Sequence, residues 1–261
     1  MTVAPGPSLV TKLRSALYNL LFLLLTAATC IIGLALLPFP RQWMRRYVQV
    51  WARLMIWLLK PVCGVGLVVT GREHLPPGPA VIAAKHQSAY DTVVWLAILP
   101  DPVYVLKQEL LKIPAWGKLA QHYGSVAVDR KGGATALKRM VRESAAVLAE
   151  GHQVVIFPEG TRTLPGQRVP YQPGIVALAA ASRAPVLPVA TDSGLHWGRG
   201  AMALKLPGPI TIAFLPPLPT GLPRAALLAK LESVIETETD RLVRAGGGPA
   251  VHPPLVDNSV G

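Results

Sequence analysis

His86 and Asp91 stand five positions apart in the run Lys85-His86-Gln87-Ser88-Ala89-Tyr90-Asp91. The apolar run Ala80-Val81-Ile82-Ala83-Ala84 comes just before them and reads as a buried strand. The residues from Ser88 onward read as a helix start. An imidazole at a strand-to-helix turn can face a cleft, and a carboxylate in the first turn of the next helix can hold it. Such a pair can strip a proton from an alcohol. The same letters also fit a capping box, in which Ser88 caps the helix and Asp91 returns a hydrogen bond to the Ser88 amide. The two roles can coexist, because a carboxylate accepts several hydrogen bonds.

A second polar cluster follows the apolar run Val154-Val155-Ile156-Phe157, in Pro158-Glu159-Gly160-Thr161-Arg162-Thr163. Pro158 ends the strand. Gly160 lets the backbone approach a ligand closely. Arg162 offers a planar fork for phosphate oxygens. A plain alternative is a turn carrying an Arg–Glu surface pair. Lys107 and the pair Asp129-Arg130 each close a further apolar run.

The elements that must position these groups alternate in type. Short apolar runs at 67–70, 80–84, 103–107, 125–128, 154–157, 186–190 and 210–214 read as strands, and 90–98, 115–121, 134–150, 175–181 and 224–244 as helices. This alternation predicts an α/β fold around a mixed, mainly parallel sheet flanked by helices. In such sheets ligands sit beyond the carboxyl ends of the strands. His86, Lys107, Asp129-Arg130 and the Glu159–Arg162 segment would then share one edge. His74, His122, His152, His196 and His252 lack a carboxylate at motif spacing and read as surface or packing residues.

The blocks His86 to Asp91, Lys107 to Arg130, Phe157-Pro158-Glu159-Gly160-Thr161-Arg162 and Val186-Leu187-Pro188-Val189 occur in the order of the glycerolipid acyltransferase family, which the chain resembles over roughly residues 70–190. The closest resemblance is to the 1-acyl-glycerol-3-phosphate acyltransferases. It implies that His86 and Asp91 are the catalytic pair. It also implies that Lys107, Arg130, Glu159, Gly160, Thr161 and Arg162 line the site for the substrate phosphate. The family often carries Asn before the His, where this chain has Lys85.

Composition adds a membrane. Hydrophobic residues make up 51% of the 261 positions and charged residues 15%, well under the ~25% usual for soluble domains. Residues 16–37 carry no charge, and at about 1.5 Å per residue they reach roughly 33 Å, enough to span a bilayer core. Lys12 and Arg14 precede this stretch, and Arg41, Arg45, Arg46 and Arg53 follow it, so the positive-inside rule picks no orientation. A hairpin or re-entrant pair with both ends on one face resolves that. Trp43, Trp51 and Trp57, mixed with arginines over 41–60, mark an interfacial amphipathic helix, although a core helix with a charged outer face shows the same pattern.

These readings divide the chain into a two-helix membrane anchor over 1–60, an α/β domain over 61–245 and a loose Gly/Pro-rich tail over 246–261. The net charge of +12 suits anionic partners. No Lys/Arg tract with interleaved aromatics and no zinc-finger spacing points to nucleic acid. No metal-ligand cluster or dinucleotide fingerprint implies a metal or a bound cofactor. Cys30 and Cys63 read as small buried hydrophobes.

The reaction expected is acyl transfer from acyl-CoA or acyl carrier protein to the sn-2 hydroxyl of lysophosphatidic acid, giving phosphatidic acid. It would take place at the inner cell membrane, with the catalytic domain facing the cytoplasm. Rival readings are an acyltransferase for glycerol 3-phosphate or a lyso-aminolipid, a non-catalytic lipid-headgroup module, and a membrane-anchored hydrolase. The absence of a Gly-x-Ser-x-Gly elbow counts against the hydrolase.

Overall fold

The computed structural model describes residues 6–129 and 131–249. Arg130, His252 and most of the expected tail therefore lie outside the described residues. Seven strands form one sheet in the order β1-β7-β6-β2-β5-β3-β4. They are β1 (Val65–Thr70), β2 (Ala80–Ala84), β3 (Pro102–Lys107), β4 (Val126–Val128), β5 (Gln153–Ile156), β6 (Val186–Thr191) and β7 (Gly208–Phe214). β2 to β6 run parallel to one another, and β7 joins β6 antiparallel with β1 parallel to β7. The sheet is thus mixed and mainly parallel. Each expected strand and helix of this body is present, with ends moved by at most two residues.

β2 is buried along its whole length. Val81 and Ala83 pack into one core, while Ala80, Ile82 and Ala84 pack into another on the opposite face. A strand covered on both sides needs an unbroken apolar run, and Ala80–Ala84 supplies it. The helices α3 (Asp91–Ile98), α4 (Trp116–Tyr123), α5 (Gly133–Ala149), α6 (Gly174–Ser182) and α7 (Arg224–Ala245) flank the sheet. The five parallel strands place their carboxyl ends on one edge, and the loops after β2, β3, β4 and β5 gather there.

Before the sheet come α1 (Leu9–Gly33) and α2 (Arg41–Cys63). Among the described residues only α1 is long and apolar enough to cross a membrane, and little of it is buried. The expected hydrophobic two-helix anchor is corrected to one apolar helix, α1, followed by the amphipathic helix that the tryptophans and arginines of 41–60 implied. α2 is amphipathic: it buries Met44, Ala52, Met55 and Leu59, exposes Trp43 and Trp57, and carries four arginines. The boundary expected at residue 60 also falls inside α2. The helix accommodates Pro61 in its last turn and ends only where Gly64 adopts the left-handed conformation, φ 71°.

α1 and α2 form an antiparallel hairpin laid along the body. The Tyr18 hydroxyl donates to the Met55 carbonyl at 3.0 Å, and the Tyr47 hydroxyl donates to Thr29 O at 3.1 Å. The Asn19 amide donates to Met202 O at 2.8 Å, and the Lys205 amide donates to Ser15 Oγ at 3.0 Å. Lys205 is 1% exposed. Its ammonium lies 4.3 Å from the Trp197 ring centre and 5.3 Å from that of Tyr18, and it donates to Asn19 Oδ1, Ala201 O and Ala203 O. Cations gain on aromatic faces when desolvated.

Lys205→Met should therefore strip a cation from three oxygen acceptors and two ring faces. The expected loss is ~2–4 kcal/mol of stability, read as a lower thermal unfolding midpoint of the detergent-solubilised protein.

Candidate active site

The chain leaves β2 at Lys85 and turns through His86, Gln87 and Ser88 into α3. Asp91 Oδ2 accepts from His86 Nδ1 at 3.0 Å, from the Gln87 amide at 2.7 Å and from the Ser88 amide at 2.8 Å. Capping and orientation of the imidazole are thus carried by one oxygen. Ser88 Oγ accepts from the Tyr90 amide at 3.0 Å and adds a second bond to the turn. With Nδ1 donating to a carboxylate, Nε2 carries the free lone pair. Nε2 makes no hydrogen bond to the described residues.

β5 lies beside β2, so the Phe157–Thr163 loop emerges next to His86. The two loops are laced together. The His86 amide donates to Glu159 Oε2 at 2.7 Å, and the Thr163 amide donates to the His86 carbonyl at 2.8 Å. Phe157 stacks on the imidazole, with ring centres 3.9 Å apart and planes 16° apart. Gly160 turns the loop with φ 66°, a conformation that favours glycine.

Glu159 differs from the sequence expectation. It is 3% exposed, and both of its oxygens are engaged by protein donors. Oε2 takes the His86 amide, while Oε1 takes the Thr163 hydroxyl at 2.8 Å and the Lys85 ammonium at 2.7 Å. Burial pushes its carboxyl up to about 7, against the pull of the Lys85 charge and of hydrogen bonds from Lys85 and Thr163. A carboxylate so placed builds the floor under His86 rather than a phosphate cradle. Its neighbour Lys85, read from sequence only as a departure from the usual Asn, is 1% exposed and ends in this ion group.

The remaining expected residues are spread along the edge. Arg162 donates through Nη1 to Arg199 O at 2.8 Å, and its Nε has no partner. Burial pulls its pKa below the usual guanidinium value, Asp91 opposes that shift, and the Arg199 charge adds to it. Lys107 is not brought to His86. Its half-exposed ammonium pairs with Glu109 at 3.2 Å. Gly160 and Thr161 line a cavity of about 410 Å³ together with Asp129 and Gln172. Arg130 lies outside the described residues.

A second cavity of about 320 Å³ reaches His86 from the other side of Phe157. Phe22 and Cys30 of α1, Trp51 of α2, Leu96 of α3 and Tyr104 of β3 are among its walls. It is mostly apolar and runs from the imidazole to the helical hairpin. Cys30 lines it as an unpaired thiol, and Cys63 is free as well. Ser88 Oγ is turned away to the Gly198 carbonyl, so no hydroxyl nucleophile is paired with the imidazole.

Sequence reasoning missed several of these residues. Phe157 sits in a recognisable motif, yet only the structure shows it against the imidazole. Arg199 lies in a loop with no periodic signal. His152 has a carboxylate after all: Asp101 Oδ2 lies 2.6 Å from its Nδ1, with Arg45 beside both. That pair occupies the opposite edge of the sheet, where β3 and β5 begin, and plays no part at His86.

This arrangement can deprotonate an alcohol delivered to Nε2 through the apolar cavity that His86 lines. Comparison with known proteins gives the family. Residues 66–192 match the family model described as Acyltransferase. The chain is 36% identical over 215 residues to a 1-acyl-sn-glycerol-3-phosphate acyltransferase of Pseudomonas aeruginosa, covering 80% of this chain and 82% of that protein. It is 33% identical over 205 residues to the protein of that name from Limnanthes alba, covering 76% of this chain and 70% of that one. The crystal structure of the 1-acyl-sn-glycerophosphate acyltransferase PlsC from Thermotoga maritima shares the fold, with a TM-score of 0.73 at 24% identity, over 89% of this chain and 97% of that one. With the His86–Asp91 pair and its apolar cavity in place, this chain belongs to the 1-acyl-sn-glycerol-3-phosphate acyltransferase family.

Proposed function

We propose that the chain moves an acyl group from acyl-CoA or acyl carrier protein to the sn-2 hydroxyl of 1-acyl-glycerol-3-phosphate, giving phosphatidic acid. The observation that carries this reading is the free Nε2 of His86, backed by Asp91, at the inner end of an apolar cavity walled by α1 and α2. Nε2 takes the hydroxyl proton as the oxygen attacks the thioester carbonyl. Asp91 stabilises the imidazolium so formed. The new ester C–O bond forms, the C–S bond breaks, and the thiol leaves as thiolate. The imidazolium then returns its proton to that thiolate or to water. The acyl chain of one substrate lies in the apolar cavity. General-base assistance is worth about 10²- to 10⁴-fold, and alignment of the two substrates supplies a further share. Arg162 holds the acceptor phosphate, with Gly160 and Thr161 beside it and Lys107 as an outer cation. Glu159 supports that site from beneath.

The membrane reading rests on the hairpin. Leu9, Leu13, Leu17, Leu20 and Leu24 are exposed along α1, as are Trp43, Leu54 and Trp57 on α2. Water does not favour so continuous an apolar face. α1 touches the α/β body from its middle to its end: Ser15 accepts from the Lys205 amide, Asn19 reaches Met202, and Gly33 packs against Leu119. A helix held to the body over more than half its length lies against it rather than projecting away across a bilayer. On this proposal α1 lies in the inner face of the cell membrane, with the catalytic edge toward the cytoplasm, where the thioester donors are made.

His86→Ala should lower the rate by at least ~10²-fold, measured with labelled acyl-CoA and lysophosphatidic acid, and leave the protein in the membrane fraction. Asp91→Asn should lose less, because Nε2 remains. A His86→Ala enzyme that kept near wild-type turnover would overturn the base assignment. Arg162→Lys should raise the KM for the phosphorylated acceptor and leave that of the thioester unchanged, since the ammonium replaces a fork with a point charge. For topology, thiols engineered at Thr11 and Gln42 should both react with an impermeant reagent added from the cytoplasmic side. Labelling from opposite sides would show that α1 spans.

A further inference from the structure

We infer that Glu236, on the C-terminal helix α7, is a positioning residue for His86 and acts through Lys85 and Glu159. It lies outside the segment that matches the family model, residues 66–192. The inference rests on His86 being the base.

The geometry forms a chain of short contacts in the interior. Lys85 Nζ is 2.7 Å from Glu159 Oε1 and 2.7 Å from Glu236 Oε1. All three groups are nearly excluded from solvent, at 1%, 3% and 3% exposure. Glu159 in turn takes the backbone amide of His86 through its other oxygen. The hydroxyl of Thr163 bonds Glu159, and the amide of Thr163 bonds the His86 carbonyl. Both backbone polar groups of His86 are thus fixed by Glu159 and by the residue bonded to it. Lys85 adjoins His86 in the chain, so its buried ammonium also pins the strand exit from which the imidazole projects.

Glu236 sets where that ammonium sits. Its Oε1 accepts from Lys85 and, at 2.9 Å, from the Tyr171 hydroxyl, and its Oε2 faces Arg168 Nε at 3.8 Å. Arg168 is tied in turn to Asp240, which lies further along α7. One ammonium therefore stands between two carboxylates, with a second cation balancing the far one. If Glu236 is made neutral, the ammonium is drawn wholly to Glu159. The carboxylate that holds the His86 amide then moves with it. In a low-dielectric interior such a charge imbalance is strongly felt.

The full-length protein in detergent provides the test. Lys85→Met would leave two buried carboxylates without their cation and is expected to misfold, so Glu236→Gln is the informative variant. It keeps the shape and can still accept from Tyr171. Its kcat, per folded molecule as counted by thermal unfolding, should fall by about 10-fold or more, since a 1 Å misplacement costs on the order of 10²-fold. The KM values for thioester and lysolipid should both stay unchanged. The ring nitrogen signals of His86, assigned by comparison with His86→Gln in ¹⁵N-histidine-labelled protein, should shift. Unchanged kcat overturns the proposal, and so does a fall in kcat with the His86 signals unmoved. If the wild type transfers no acyl group to any lysolipid, the proposed function fails and the His86 signals alone decide the positioning.

Discussion

One carboxylate oxygen, Oδ2 of Asp91, accepts from the His86 ring and from the two backbone amides that follow it. The rest of the site depends on this atom. Two fixed amides hold the carboxylate, so the side chain cannot swing away when the imidazole gains a proton. Asp91 is fully buried, which raises the worth of each of those bonds. It also stands in the first turn of α3, where a negative charge meets the positive end of the helix. The sequence pays for a carboxylate with no solvent by supplying three donors within five residues of chain.

The sheet explains how so local a device can meet its substrates. Parallel strands deliver every following loop to the same edge. β5 beside β2 brings Phe157 onto the imidazole and Thr163 onto the His86 carbonyl. The hairpin of α1 and α2 closes the other side, so that one cavity joins the imidazole to the half-buried inward face of the hairpin. Phe157 lines this apolar cavity and also the more polar one beside Glu159. Phe157 and Val105 thus stand between an apolar cavity and one where polar groups gather.

The fold was legible because its signals are periodic and local. Apolar runs such as Ala80–Ala84 fix strand positions, and the His86–Asp91 spacing fixes a turn. Contacts that are distant in the chain were not legible. Glu236 is an ordinary acidic residue of an amphipathic helix until the fold sets it against Lys85. The family resemblance put Glu159 among the ligand residues. Only burial shows that both its oxygens are already taken. The His152–Asp101 pair escaped notice because no short motif joins them. In α2, tryptophans and arginines announced an interface, but its inward face of Met44, Ala52 and Met55 appears only once α3 is packed against it.

The buried ion group beneath His86 needs a reason, because removing charges from water costs several kcal/mol per ion. Well-packed apolar residues would serve stability as well. Shape alone, however, would not hold a backbone amide in one place. A carboxylate does so, and it must then be balanced by a cation. Lys85 is the cation within reach of Glu159, and a second carboxylate and Arg168 complete the group. Each added charge follows from the one before it, and the sequence starts at the amide of His86. The direction of that dependence accounts for a lysine where related enzymes often carry an uncharged residue: the strand exit is fixed here by an ion group that reaches across to α7.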